Sequence, residues 1–184
     1  MKLHHGSPDD LTGRSQREIR AYRFLDELGI DYMRTDHPDQ PADTMEVCAE
    51  VDAVLGVRIC KNLFLCNRQK TDFYLLIMPG DKPFKTKFLS KQMGISRLSF
   101  ADEDAMRELL DVYPGSVSVL ALMNDSDHRV TPVIDEDVLE EEWFGCHPCE
   151  NTSSIRFGTD DLCERILPAL GYTPVIVHLE TPAD

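Results

Sequence analysis

Long apolar runs are missing from this 184-residue chain: the longest, Phe73 to Met78, is six residues. A membrane-spanning helix needs roughly 20, so no bilayer crossing is expected. The start M-K-L-H-H-G-S-P-D-D has no apolar segment after its single lysine, which excludes a secretory signal and makes the cytoplasm the expected location. There is no G-x-x-x-x-G-K-[ST], no G-x-G-x-x-G and no G-x-S-x-G. A P-loop, a dinucleotide fingerprint and a nucleophile elbow for covalent serine catalysis are therefore excluded. A second C-x-x-C and any H-x-x-x-H are lacking too, so a four-ligand zinc site has no ligand spacing to draw on. No metal and no cofactor are expected. With 10 Gly and 11 Pro and no internal repeat, the chain is neither collagen-like nor low in complexity.

What is present is ordinary globular material, 42% hydrophobic and 28% charged. At about 150 residues per domain this makes one domain, 1–184, with 1–14 expected as a flexible lead. The six cysteines, in a chain without an export signal, read as reduced thiols rather than a disulfide framework. The net charge of −14 would alone argue against a nucleic-acid partner. Its distribution argues otherwise: between Arg58 and Arg97 nine basic residues face two acids, a balance of +7, and the remainder carries −21. One face can attract polyanions while another repels them, although lysines on a solvated hairpin and helix would give the same count. The acidic run Asp135 to Glu142 reads as a solvated helix.

Periodicity supplies the elements. Apolar residues at Ile19, Tyr22, Phe24, Leu25 and Leu28 share one face of a helix that starts at Ser15 and stops at Gly29. A strand Ile30–Thr35 follows, then a helix from an N-cap-like Thr44 to Gly56. Leu63–Leu65 and Phe73–Met78 predict a hairpin of central strands. Further helices are predicted over Thr86–Gln92, Ala101–Val112 and Thr159–Leu170. Strands are predicted over Ser116–Met123, Val130–Ile134, Ser153–Phe157 and Val175–Leu179. Without a regular βαβ rhythm, the pattern favours an α+β fold with a mixed sheet flanked by helices.

Three segments can carry chemistry. In C-K-N-L-F-L, Lys61 and Asn62 open an apolar strand, where a cation can clamp a phosphate or polarise a carbonyl, or simply snorkel past the sheet edge. In P-G-S-V-S-V, Gly115 lets backbone N–H groups approach a ligand, though a plain turn has the same sequence. C-H-P-C-E-N-T, Cys146 to Thr152, is the densest polar cluster, and its C-x-x-C spacing is open to redox cycling or metal binding.

K-N-L-F-L, then F-Y-L-L-I-M, K-F-L-S-K-Q-M-G, P-G-S-V-S-V-L-A-L-M-N-D and C-H-P-C-E-N-T-S-S-I together resemble the prolyl-tRNA editing-domain family in order and spacing, over about residues 15 to 178. That family comprises free-standing deacylases and an insertion domain of bacterial prolyl-tRNA synthetases. The resemblance implies a mixed, barrel-like sheet wrapped by helices and hydrolysis of mischarged Ala-tRNA(Pro). It implies Lys61, Gly115 and His147 as catalytic residues. Lys61 would hold the 3′-end phosphate or the carbonyl, and N–H groups around Gly115 and Ser116 would stabilise the oxyanion. Asn62 and His147 would orient the substrate, with Val119, Asn151 and Thr152 beside it. A hydroxyl of the terminal ribose would help activate water, consistent with the lack of a dedicated general base. The implied partners are the acceptor end of tRNA(Pro), met by Lys82, Lys85, Lys87 and Lys91, and prolyl-tRNA synthetase.

Two departures bear on specificity: the family's Gly-x-x-x-Pro loop reads Gly115-Ser-Val-Ser-Val119 here, and cysteines flank the histidine. Two other readings stay open at this level. One is a non-catalytic tRNA-binding or regulatory module; the other is a redox or metal switch at Cys146 and Cys149.

Overall fold

The computed structural model describes residues 1–181. Two sheets organise it. The first runs β1 (Leu3–His5), β2 (Tyr32–Asp36), β8 (Ser153–Gly158), β7 (Trp143–Cys146), antiparallel throughout. The second runs β5 (Leu98–Phe100), β3 (Lys61–Asn67), β4 (Phe73–Met78), β6 (Val130–Asp135), β9 (Val175–Val177). In it β3 is antiparallel to β4 and β5, whereas β4, β6 and β9 run parallel. The α+β expectation holds, but the barrel is corrected. Closure would require end strands to pair, and β5 with β9, like β1 with β7, remain open edges. The sheets touch through one backbone bridge, Ile59 with Gly145.

The helices start where side chains satisfy their first N–H groups. Ser15 caps α1 (Gln16–Glu27) and Thr44 caps α2 (Met45–Leu55), which ends at Gly56 in a left-handed conformation. α3 (Thr86–Met93) ends likewise at Gly94. The predicted helix over 101–112 is a turn of α-helix, α4 (Glu103–Ala105), continued by a wider-wound Met106–Leu110. Residues 116–123 depart from prediction. Instead of a strand they form a 3₁₀ helix, Val119–Asn124, because the Ser118 side chain accepts from Leu120 N–H and overrides the β-branched valines. The acidic run also differs: only Glu136–Leu139 is helical (α5), and Asp135, fully buried, is its N-cap. Residues 1–14, expected as a flexible lead, contain β1, hydrogen-bonded along β2.

Two apolar cores lie on the two faces of the second sheet. Alternate residues of β3 divide between them: Phe64 and Cys66 enter the larger core, with Phe144, Phe157, Leu120 and Tyr22. Leu65 enters the smaller, with Leu76, Met78, Leu89, Leu98 and Val133. Among the described residues no helix is long and apolar enough to cross a membrane.

Candidate active site

Lys61 and Asn62 begin β3 and, by strand alternation, leave it on opposite faces. Asn62 turns to the larger core, where its Oδ1 accepts from Val119 N–H at 2.9 Å and its Nδ2 donates to the Cys60 carbonyl at 3.1 Å. Both ends of this amide are engaged within the protein, so it ties the 3₁₀ helix to β3. Lys61 turns to the smaller-core face, and its ammonium donates to the Lys82 carbonyl at 2.7 Å. That carbonyl is placed by Lys82 itself, whose ammonium binds Asp135 at 2.7 Å and Asp137 at 2.8 Å. Burial works against this charge, but the hydrogen bonds it donates to the two carboxylates outweigh it and raise the Lys82 pKa. Lys82, expected on a tRNA-facing surface, is instead 7% exposed and ion-paired.

The Gly115 loop reaches the cluster from another direction. Gly115 has φ +89°, a region that favours glycine, and a methyl there would lie 3.3 Å from Asn151 Nδ2. Tyr113 Oη donates to Asn151 Oδ1 at 3.2 Å, locking the same contact. Ser116 is fully buried, and its N–H donates to the Tyr113 carbonyl at 3.0 Å. The Ser116 N–H is thus spent in the turn, while the Gly115 N–H has no hydrogen-bond partner among the described residues. Val119 is buried in the larger core.

His147 follows β7. Its Nδ1 lies 3.1 Å from the Ser153 carbonyl and 3.1 Å from Ser154 Oγ. Burial lowers its pKa, the Ser153 carbonyl opposes and His37 assists, leaving it at about 4; the ring is neutral at pH 7. Beside it, Thr152 accepts from His37 N–H and Asn151 from Ala42 N–H through their backbone carbonyls. The start of β8 is fixed by a polar cluster. Arg14 pairs with Glu18 and Asp36, Arg34 with Asp36, and Ser153 Oγ donates to Glu18 and Asp36. Burial would raise the Asp36 pKa, but the hydrogen bonds from Arg14, Arg34 and Ser153 prevail and hold it at about 2. His37 and Ser154 were not singled out by sequence, since His37 lies in no motif, Ser154 is only one serine within C-H-P-C-E-N-T-S-S-I, and the β2–β8 pairing that joins them is tertiary.

The structure joins Asn62 to Val119 and the Gly115 loop to Asn151, sets His147 against the start of β8, and leaves the Lys61 ammonium on the far face of β3. The redox or metal reading of Cys146 and Cys149 gains nothing. Both thiols are buried, and burial raises the pKa of each, Cys149 to about 12, which disfavours the thiolate. Lys85, Lys87 and Lys91 are exposed along α3. Two adjoining surface cavities flank them, about 510 and 690 Å³, sharing Thr86 and Arg97 and reaching Arg68 and Phe100.

Known proteins accord with this arrangement. A family model described as the aminoacyl-tRNA editing domain matches residues 39–164. The prolyl-tRNA editing protein ProX of Acetoanaerobium sticklandii is 32% identical over 155 residues, 84% of this chain and 93% of that protein. The prolyl-tRNA synthetase associated domain-containing protein 1 of Mus musculus is 33% identical over 169 residues, 89% of this chain and 98% of that protein. A crystal structure described as a candidate trans-editing enzyme for prolyl tRNA synthetase superposes with a TM-score of 0.66 at 18% identity, covering 91% of this chain and 99% of that one. The fold, its match through residues 39–164 and the curated relatives spanning nearly their whole length make this chain a member of the aminoacyl-tRNA editing domain family.

Proposed function

We propose that the protein is a trans-editing deacylase that hydrolyses mischarged Ala-tRNA(Pro) to alanine and free tRNA(Pro). The observation that carries this reading is the approach of the Gly115 loop to Asn151, which lies in the loop that begins at the neutral His147, in a chain whose relatives carry prolyl-tRNA editing names. The ester in an aminoacyl-tRNA is already activated. Water adds to its carbonyl carbon, the tetrahedral oxyanion collapses, and the carbon–oxygen bond to the ribose breaks, giving a free carboxylate and a ribose hydroxyl.

The Gly115 N–H, unengaged in the free protein, serves the oxyanion, and Lys61, whose ammonium lies on the opposite face of β3, leaves the Lys82 carbonyl to meet the 3′-end phosphate. His147 contacts the ribose hydroxyl or the water. Asn62 acts by holding Val119 and its helix in place, and Asn151 and Thr152 lie between the Gly115 loop and the start of β8. The need for such an enzyme is physical. A site that accepts proline cannot strongly reject alanine, because a missing methylene is worth only about 1–3 kcal/mol. A small pocket behind the synthetase then acts as the second sieve. The exposed Lys85, Lys87 and Lys91 meet the acceptor end, and the enzyme works in the cytoplasm beside prolyl-tRNA synthetase.

Single-turnover hydrolysis of Ala-, Pro- and Cys-tRNA(Pro), with Lys61→Ala alongside, tests the reading. The expected result is rapid loss of alanine, slowed by the substitution at least 100-fold, on the order of one oxyanion or phosphate contact. Rates equal to buffer for all three esters would overturn it.

A further inference from the structure

Behind His147 a second histidine is almost sealed from solvent. His37, 3% exposed at the end of β2, has Nδ1 3.0 Å from the Gln40 carbonyl and Nε2 3.0 Å from Ser154 Oγ. Ser154, fully buried, lies 3.1 Å from His147 Nδ1 through the same oxygen. Nothing in the proposed chemistry uses this chain of contacts, which joins residues 117 apart in sequence.

The chain admits one arrangement of protons for neutral rings. A carbonyl oxygen only accepts, so the Gln40 carbonyl requires the proton of His37 on Nδ1 and leaves Nε2 as a lone pair. That lone pair requires the Ser154 hydroxyl to donate to it, and the Ser154 oxygen is then an acceptor toward His147. The Ser153 carbonyl makes the same demand on His147 Nδ1. His147 therefore carries its proton on Nδ1, and Nε2 is a bare acceptor. Among the described residues Nε2 has no hydrogen-bond partner, and it is not one of the fully buried orphan atoms, so this edge of a half-buried ring is not sealed. Burial lowers the His37 pKa despite the Gln40 carbonyl and the Asp36 and Glu18 carboxylates nearby, in keeping with a neutral ring.

We propose that His37, acting through the Ser154 hydroxyl, is a positioning residue that holds His147 as its Nδ1–H tautomer, so that the atom offered to the substrate accepts a hydrogen bond and cannot donate one. The clause about substrate rests on the deacylase reading; the tautomer itself does not. An acceptor at this point fits a ribose hydroxyl or the attacking water, both of which have a proton to share. It does not fit an oxyanion, whose stabilisation falls to the Gly115 N–H. A buried partner that fixes the tautomer of a working histidine is a recurrent device, and a wrong tautomer costs orders of magnitude elsewhere.

Nitrogen-15 spectra of the histidine-labelled full chain at neutral pH, without tRNA, read the tautomer directly. The expected wild-type spectrum has His147 protonated on Nδ1 and unprotonated on Nε2. In His37→Phe the Ser154 hydroxyl is free to donate to His147 Nδ1 against the pull of the Ser153 carbonyl, the two tautomers mix, and the Ala-tRNA(Pro) single-turnover rate falls about tenfold or more while the substrate concentration at half-maximal rate stays unchanged. If His37→Phe does not fold, His37→Asn keeps a donor for the Gln40 carbonyl while its shorter side chain releases Ser154, and the same two readings apply. Wild-type His147 protonated on Nε2 overturns the proposal. So does a folded variant that keeps either the wild-type tautomer or the wild-type rate. Absence of deacylation in the wild type, with the expected tautomer present there and mixed in the His37 variant, would sink the enzyme reading and leave the His37 relay supported.

Discussion

His147 differs from a solvent-exposed histidine because its surroundings have withdrawn water from the imidazole while supplying an acceptor to one nitrogen. Its pKa near 4 instead of 6.5 gives a pH prediction with a definite sign. The neutral form is the working form, so the enzyme-dependent rate does not fall as pH passes 6.5 and falls only toward about 4. Stability follows the same group. The unfolded chain takes up its proton near 6.5, before the folded one does, so the contribution is complete above 6.5 and is lost as pH drops through about 4. Single-turnover rates corrected for buffer hydrolysis check this, and a loss of rate centred near 6.5 would contradict it. Sequence pointed to Lys61, Asn62, Gly115, His147 and Asn151 because their motifs are local strings. It misjudged several tasks because those are set by neighbours far along the chain: Asn62 is occupied by Val119, Ser116 N–H by Tyr113, and Lys82 by Asp135. His37 and Ser154 were invisible for the same reason.

Among the elements, the turn after β4 controls more than its length suggests. Gly80 has no room for a side chain: a methyl there would stand 2.2 Å from the Ile59 carbonyl oxygen, a backbone atom that cannot rotate aside. The same turn presents the Lys82 carbonyl to Lys61. Gly80→Ala is expected to push the turn off Ile59, lowering stability by about 1–3 kcal/mol and releasing Lys61. An urea midpoint equal to wild type would show that the turn accommodates the methyl. Long periodic elements such as α1, β3 and β4 were legible, since their apolar faces repeat over several residues. Three- and four-residue strands, β1, β5 and β7, carry too little pattern to be read. The 3₁₀ helix was misread because Val117 and Val119 favour strands, whereas one serine cap decided the outcome. Openness of the sheets, too, depends on edge pairing that no single segment encodes.

Over the whole molecule, part of the basic segment is neutralised by acids, Lys70 by Asp102 and Lys82 by Asp135 and Asp137, and part is left unpaired. In a protein of net charge −14, Lys85, Lys87, Lys91, Arg68 and Arg97 form no ion pair among the described residues, and half-exposed Phe100 borders the same cavity as Arg68 and Arg97. Replacing Lys85, Lys87 and Lys91 by Gln should flatten the plot of log affinity for tRNA(Pro) against log salt by about 2 to 3 in slope. An unchanged slope would make the patch plain surface. The two cores give this layer a further character. α3 rests on the smaller cluster through Leu89, while His147 and the Gly115 loop belong with the larger. Local opening free energy scales with the apolar contacts an element must break. The cationic layer can therefore loosen and reseat against an incoming backbone while the groups around the ester keep their spacing, so docking compliance and catalytic rigidity reside in separate bodies of one fold.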